Sequence, residues 1–342
     1  MTVSDDRLEL ADSSRDITLR PGQVPPGARH HPRRPVSVPP PADPGDLRRY
    51  LAAMTRLADG DALPTAYAGG DVAVEAAARW DNPAALAAAY SLRSSIGRRL
   101  GELPGAERDG RAAADLLAAA RADPRGDSAV LLLARRIAVL LDLGDVADAD
   151  RLLAGFSGDL PEDGPGSVAL RYARGRLHAG AGRPGEGLAD LFHVGAHLAA
   201  HQADRPTVLP WRSSAAAVLD SIGSVEAASR LVEAEIEINR RSGTASALGR
   251  SLRIQGQVLP GQPGVSALEE AVRVLDGSPR RFEYAQALVE LGYRRNAARR
   301  RPQALRLLRE GMELAERCGS PALIARARSG YAAAGGKLRP LT

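Results

Sequence analysis

From Asp46 onward, apolar positions recur at three- and four-residue spacing, the signature of helices with one buried face. Short Gly, Pro or Asp turns break the runs, so the helices come in pairs. The first well-marked pair is Pro83–Arg99 and Ala106–Arg121, separated by Gly101-Glu102-Leu103-Pro104-Gly105. Ser128–Leu143 and Val146–Phe156 follow, joined at Gly144-Asp145, and then Ser167–Ala179 and Gly185–His201. The series continues with Trp211–Ile222 and Val225–Arg241, then Ser246–Val258 and Val265–Leu275. Phe282–Ala297 and Pro302–Arg317 form the last pair, and Pro321–Ala334 is a terminal helix. Leu259–Gly264 reads as a looser connection.

The pairs repeat about every 35–40 residues, the range of tetratricopeptide-like units. A local pattern supports the repeat. Ala149-Asp150-Arg151-Leu152-Leu153, Ala228-Ser229-Arg230-Leu231-Val232 and Ala304-Leu305-Arg306-Leu307-Leu308 share Ala-x-Arg-Leu-aliphatic after a turn. A small Ala lets paired helices approach, and the Leu three residues on shares its face. Residues 1–43 differ: eight prolines from Pro21 to Pro41 lie among His30, His31, Arg33 and Arg34, with few bulky apolar groups to offset ordering entropy. The expected architecture is all-α: a tetratricopeptide-like α-solenoid over 44–334, a disordered Pro-rich tail over 1–43 and a short C-terminal tail over 335–342.

Composition agrees with this reading. Hydrophobic residues are 44% and charged residues 25%, which excludes wholesale disorder. Aromatics are only 4%, and a core built from Leu and Ala favours helices over strands. The single cysteine, Cys318, excludes an intrachain disulfide and a Cys-rich metal site. Net charge is +5, and Lys337 is the only lysine. Such a small excess does not call for a nucleic-acid partner. Met1-Thr2-Val3-Ser4-Asp5-Asp6 is no secretory signal, and the most apolar run, Ser128–Leu143, is interrupted by Arg135 and Arg136 and is short of a ~20-residue membrane span. The expectation is a soluble cytoplasmic protein without membrane attachment.

The C-terminal third carries a family resemblance. Phe282-Glu283-Tyr284-Ala285-Gln286-Ala287-Leu288-Val289-Glu290-Leu291-Gly292 is followed by Gln303-Ala304-Leu305-Arg306-Leu307-Leu308-Arg309-Glu310-Gly311, then Ala315-Glu316-Arg317-Cys318-Gly319 and Ala325-Arg326-Ala327-Arg328. This series resembles the helical sensor region of the large ATP-binding LuxR-type (MalT-like) transcriptional regulators. Val208-Leu209-Pro210-Trp211-Arg212-Ser213 and the Arg171–Gly182 segment are similar to the same region further upstream. The resemblance implies a sensor normally flanked by a nucleotide-binding module and a helix-turn-helix. Neither is expected here. The nearest phosphate-loop candidate, Gly335-Gly336-Lys337-Leu338, lacks the hydroxyl residue and follows a helix. The chain stops at Leu338-Arg339-Pro340-Leu341-Thr342, about where the family's linker would lead into its DNA-binding domain. The resemblance therefore implies a stand-alone sensor or a truncated regulator, without direct promoter binding.

Three constellations carry candidate chemistry. His193, His197 and His201 fall on one helix face at i, i+4, i+8, a spacing that can hold Zn or Ni; an ordinary amphipathic helix accounts for them as well, and no metal or cofactor is expected. Arg294, Arg295, Arg299, Arg300 and Arg301 form the densest basic run, read as a solvated turn before a phosphate site. Cys318 sits before a helix-stopping Gly319 and reads as a small packing residue. No Gly-x-Ser-x-Gly elbow or other catalytic set occurs.

The functional expectation is a non-catalytic regulatory protein that binds a protein partner or small effector in the solenoid's inner groove. Arg171, Arg174, Arg212, Arg250, Arg253 and Gln286, on the first helices of their pairs, are the groove candidates. The alternatives are a truncated transcription-factor fragment and an enzyme on a helical-repeat scaffold. A homo-oligomer is compatible with this reading.

Overall fold

A computed structural model describes residues 39–156 and 164–337; most of the expected Pro-rich tail, and the C-terminal tail from residue 338, lie outside them. The described residues form fifteen α-helices and no strand. The helices are α1 (Pro44–Asp59), α2 (Leu63–Ala77), α3 (Pro83–Leu100), α4 (Leu103–Ala119) and α5 (Asp127–Leu143). Then come α6 (Val146–Ala154), α7 (Pro165–Gly180), α8 (Pro184–Ala200), α9 (Trp211–Ser221) and α10 (Val225–Ser242). The last five are α11 (Ala245–Val258), α12 (Gly261–Asp276), α13 (Arg281–Ala297), α14 (Arg301–Cys318) and α15 (Pro321–Ala333). They form an α-solenoid of helix pairs.

The helix starts follow from local chemistry. Proline stands in the first turn of α1, α3, α7, α8, α14 and α15, where its missing N–H has no intrahelical partner to lose. Asp43, Asn82, Asp145, Thr244 and Ser320 cap α1, α3, α6, α11 and α15 through side-chain acceptors. The same rule explains two differences from the sequence reading. Helix α4 begins at Leu103 and α12 at Gly261, because Pro104 and Pro263 lie inside first turns and do not break them. The structure also resolves Pro44–Asp59 and Leu63–Ala77 as a further pair ahead of α3.

The repeated alanines sit where helices meet. Ala149, Ala228 and Ala304 are fully buried, while the arginines two residues on, Arg151, Arg230 and Arg306, are exposed. Between α7 and α8 the backbones touch directly: a Cβ on Gly175 would lie 3.0 Å from the Gly187 carbonyl oxygen, and one on Gly187 would lie 2.7 Å from that of Gly175. Each pair buries its own apolar face, and neighbouring pairs complete the core. The largest apolar cluster runs through α9–α15 and takes in Leu103 of α4.

That last contact reflects a closure. The solenoid curves until its first helices meet its last. Gly101, after α3, faces Phe282 of α13 and Cys318 of α14, and Gly319 abuts Pro104 of α4. Ser320 Oγ donates to the Asp142 carbonyl oxygen at 2.8 Å, joining α15 to α5. Asp61, in the α1–α2 turn, receives both the backbone N–H and the hydroxyl of Ser246 at the start of α11.

Candidate functional site

The closure bounds a half-open cavity of about 530 Å³. Its helical lining comes from the odd-numbered helices α1 to α15, joined by Arg280 ahead of α13 and by Thr207–Pro210 ahead of α9. This alternation is what stacking produces: the first helix of each pair faces the concave side and the second faces outward. On α5 the lining residues are Leu131, Ala134, Arg135, Ala138 and Asp142, the spacing of one helix face.

The wall is dense in arginine, and most of it is paired. Asp142 lies between Arg98 Nη1 at 2.6 Å and Arg176 Nη2 at 3.0 Å, so one carboxylate ties α3, α5 and α7 together. Burial pushes the Asp142 carboxyl up, but the two guanidiniums outweigh it and hold the group below the usual carboxylate range. Glu283 behaves alike: burial is offset by Arg253, Arg250 and Arg280, and its pKa is lowered. Arg253 Nη2 lies 3.2 Å from Glu283, and Arg99 donates to Asp59 at 2.9 Å and to the Ala58 carbonyl at 2.6 Å. Arg250 Nη2 donates to the Pro206 carbonyl at 2.7 Å and stands 3.9 Å from the fully buried Glu235.

Two arginines are poorly compensated. Arg135 Nη1 donates to Ser91 Oγ at 2.7 Å, and among the described residues it forms no ion pair. Burial lowers its pKa to about 10. Arg280 is 5% exposed; it reaches the Thr207 carbonyl at 3.4 Å, and its Nε is 3.7 Å from Asp61. Burial first, then Arg99 and Arg250, lower its pKa to about 9. The buried Nε atoms of Arg99, Arg250 and Arg280 have no hydrogen-bond partner among the described residues.

Of the groove candidates, Arg250, Arg253 and Gln286 line the cavity. Arg171, Arg174 and Arg212 do not. Arg174 forks onto Asp190 of α8 at 2.6 and 2.7 Å, with Arg171 3.7 Å from the same carboxylate, and Arg212 pairs with Asp204 at 2.6 Å over the Trp211 ring. In the basic run, Arg294 donates to the carbonyls of Gly256, Gln257 and Leu259, closing the end of α11, and Arg295 pairs with Glu269. Arg299, Arg300 and Arg301 are exposed around the α13–α14 turn.

His197 and His201 stack at 4.2 Å, with His201 Nδ1 against the His197 carbonyl at 2.9 Å, and His193 is exposed beside Arg171. No group of three or more His, Cys, Asp or Glu among the described residues is arranged to hold a metal ion. Cys318 is buried, and burial raises its thiol pKa to about 11. No helix of the described residues is long and apolar enough to cross a membrane.

Sequence reasoning did not single out Arg98, Arg99, Arg135, Asp142, Arg176 or Arg280 as site residues. Their signal is visible in retrospect: Arg135 breaks the most apolar helix of the chain, and a charge inside such a run marks a face turned away from the core.

No family model matches the chain, and no curated protein matches it. Among solved structures, a Rap protein complexed with Competence and Sporulation Factor is similar at a TM-score of 0.62 and 14% identity, covering 80% of this chain and 75% of that one. A Signal Transduction ATPase with Numerous Domains carrying a tetratricopeptide repeat sensor, from Pyrococcus horikoshii, is similar at a TM-score of 0.52 and 12% identity, covering 85% of this chain and 43% of that one. The fold is a tetratricopeptide-like α-solenoid. At these identities the likeness concerns the fold, and the cavity belongs to this chain's own residues.

Proposed function

We propose that the chain is a non-catalytic regulatory binding protein that holds a peptide segment of a protein partner within its solenoid. The observation that carries this reading is the cavity of about 530 Å³, walled by successive first helices and by side chains of mixed polarity. Its size falls in the range of about 300–1,000 Å³ that accommodates compact ligands. The Rap structure of like fold was obtained in a complex with its factor, which supports reading this solenoid as a receptor. The resemblance of the C-terminal third to the LuxR-type sensor region supports a regulatory setting, in which occupancy of the cavity shifts how tightly the solenoid closes.

The test is selection of a random peptide library on the immobilised chain, repeated on Ala138→Trp and Ala217→Trp. Both alanines line the cavity from different helices, and neither is fully buried, so the indole enters the cavity space. Circular dichroism and thermal melting establish that each variant folds. Peptides selected on the natural chain are expected to bind either variant at least tenfold more weakly. Failure to select any peptide, or selection of peptides indifferent to both tryptophans, would reject the cavity as the binding site.

A further inference from the structure

The cavity wall holds more positive charge than its own carboxylates offset. Among the described residues, eight arginines and three carboxylates line it. Asp61, Glu235 and Glu290 stand behind Arg280, Arg250 and Arg326, and including them still leaves a surplus of two positive charges. The surplus can be located. Arg98 and Arg176 share the single carboxylate of Asp142, and among the described residues Arg135 has only the Ser91 hydroxyl as a hydrogen-bond partner.

Arg280 is counted against Asp61, but that pairing is loose. Its nearest carboxylate, Asp61, already accepts from Ser246 at 2.5 and 3.2 Å with its two oxygens. The Arg280 Nε lies 3.7 Å from Asp61 Oδ1, too far for a hydrogen bond, and has no other partner among the described residues. Yet Arg280 is 95% buried by its 5% exposure and lies in the cavity wall. A guanidinium so placed cannot discard its charge at neutral pH, even with its pKa lowered to about 9. No carboxylate among the described residues relieves it fully, and an anion bound in the cavity would.

We propose that the cavity is an anion-binding site whose ligand is a short acidic peptide segment, its carboxylates held by the guanidiniums of Arg135 and Arg280. The proposal rests on the cavity reading above and deepens it by naming the chemistry of the occupant. A guanidinium presents paired donors that match the two oxygens of a carboxylate. The rest of the wall selects a peptide over a bare ion. Leu92, Ile96, Leu131, Ile254 and Phe282 supply apolar surface that a free phosphate would leave unused, and the Gln286 amide can serve a peptide backbone.

The experiment is calorimetric titration of the full chain with acetyl-triglutamate amide, acetyl-triglutamine amide and inorganic phosphate, at fixed ionic strength. The proteins are the natural chain, Arg135→Gln, Ala138→Trp and Arg300→Gln, the last removing an exposed arginine outside the cavity. Triglutamate is expected to bind at least tenfold more tightly than triglutamine and phosphate. Arg135→Gln should cost at least tenfold for triglutamate alone, Ala138→Trp should abolish binding, and Arg300→Gln should change nothing. Equal affinity for the two peptides, with both lost in Ala138→Trp, would overturn the anion assignment while leaving the cavity reading intact. Binding indifferent to Ala138→Trp would overturn both. Phosphate binding as tight as triglutamate would assign the site to a free anion, and no binding of triglutamate would reject the proposal outright.

Discussion

Ser246 Oγ lies 2.5 Å from Asp61 Oδ1, and Ser246 N lies 3.2 Å from Asp61 Oδ2, across 185 positions of the chain. One carboxylate thus pins the start of α11 to the α1–α2 turn, and it also provides the only ion pair among the described residues that Arg280 makes. Asp61 holds this place with φ of 68°, a left-handed conformation that Asp tolerates better than most residues. Asp61→Ala removes two hydrogen bonds and takes away the one carboxylate within ion-pair distance of Arg280 among the described residues. The expected loss is roughly 2–4 kcal/mol of unfolding free energy, read by urea denaturation. A loss below about 0.5 kcal/mol would show that the closure contributes little to stability.

Removing the Arg135 charge should have the opposite sign. The guanidinium is desolvated and forms no ion pair among the described residues, so Arg135→Met replaces a costly charge with an apolar chain of similar reach. A gain on the order of 1 kcal/mol in urea unfolding is expected, together with weaker binding of acidic peptide. Destabilisation by the methionine would mean that the Ser91 hydrogen bond outweighs the desolvation cost.

Acid should weaken the fold through Asp142 and Glu283. Both carboxyls have pKa values below their ordinary ones, because buried arginines outweigh the effect of burial. A depressed carboxyl contributes stability that is present above its unfolded pKa, near 4, and is lost as pH falls toward the folded value. The urea midpoint is therefore expected to drop between about pH 5 and pH 3. Asp142→Asn should be less stable at pH 7 and show a shallower drop. A midpoint equally steep in the variant would assign the acid sensitivity to other groups.

Two glycines separate backbone strain from closure. Gly101 has φ of 97°, and a Cβ there would lie 2.8 Å from Cys318 Sγ and 3.2 Å from the Phe282 nitrogen. Gly182 has φ of 77° with nothing within 4 Å of its added Cβ. Gly182→Ala should cost only the left-handed penalty, about 1 kcal/mol, whereas Gly101→Ala should cost about 2–4 kcal/mol by adding a clash across the closure. Equal thermal shifts for the two variants would argue against tight contact between Gly101 and the last helices.

Cys318 provides a chemical reporter of the same contact. The residue is 3% exposed and burial raises its thiol pKa to about 11, so little thiolate forms at neutral pH. Ellman's reagent should react slowly with the folded chain and rapidly in denaturant. Fast labelling of the folded protein would indicate that α14 opens readily from Gly101.

Most of the helices are legible in local pattern, although α1 and α2 are resolved as a pair only in the structure. The spacing of apolar residues placed α3–α15 to within a few residues, because helix formation depends on neighbours three and four positions apart and on caps such as Asn82 and Ser320. The same periodicity put Arg250, Arg253 and Gln286 on first helices, three residues that line the cavity. It could not show that Arg174 would instead be taken by Asp190, since either face of an Ala-rich helix offers a plausible inward stripe. Nor could it bring Asp61 to Ser246, or Arg280 and Arg135 to the wall of one cavity. Those meetings depend on small rotations between successive helix pairs, summed over the whole solenoid, and no local pattern encodes the sum. The pairs follow from short-range chemistry; the cavity and its uncompensated charge exist only because the tertiary structure closes.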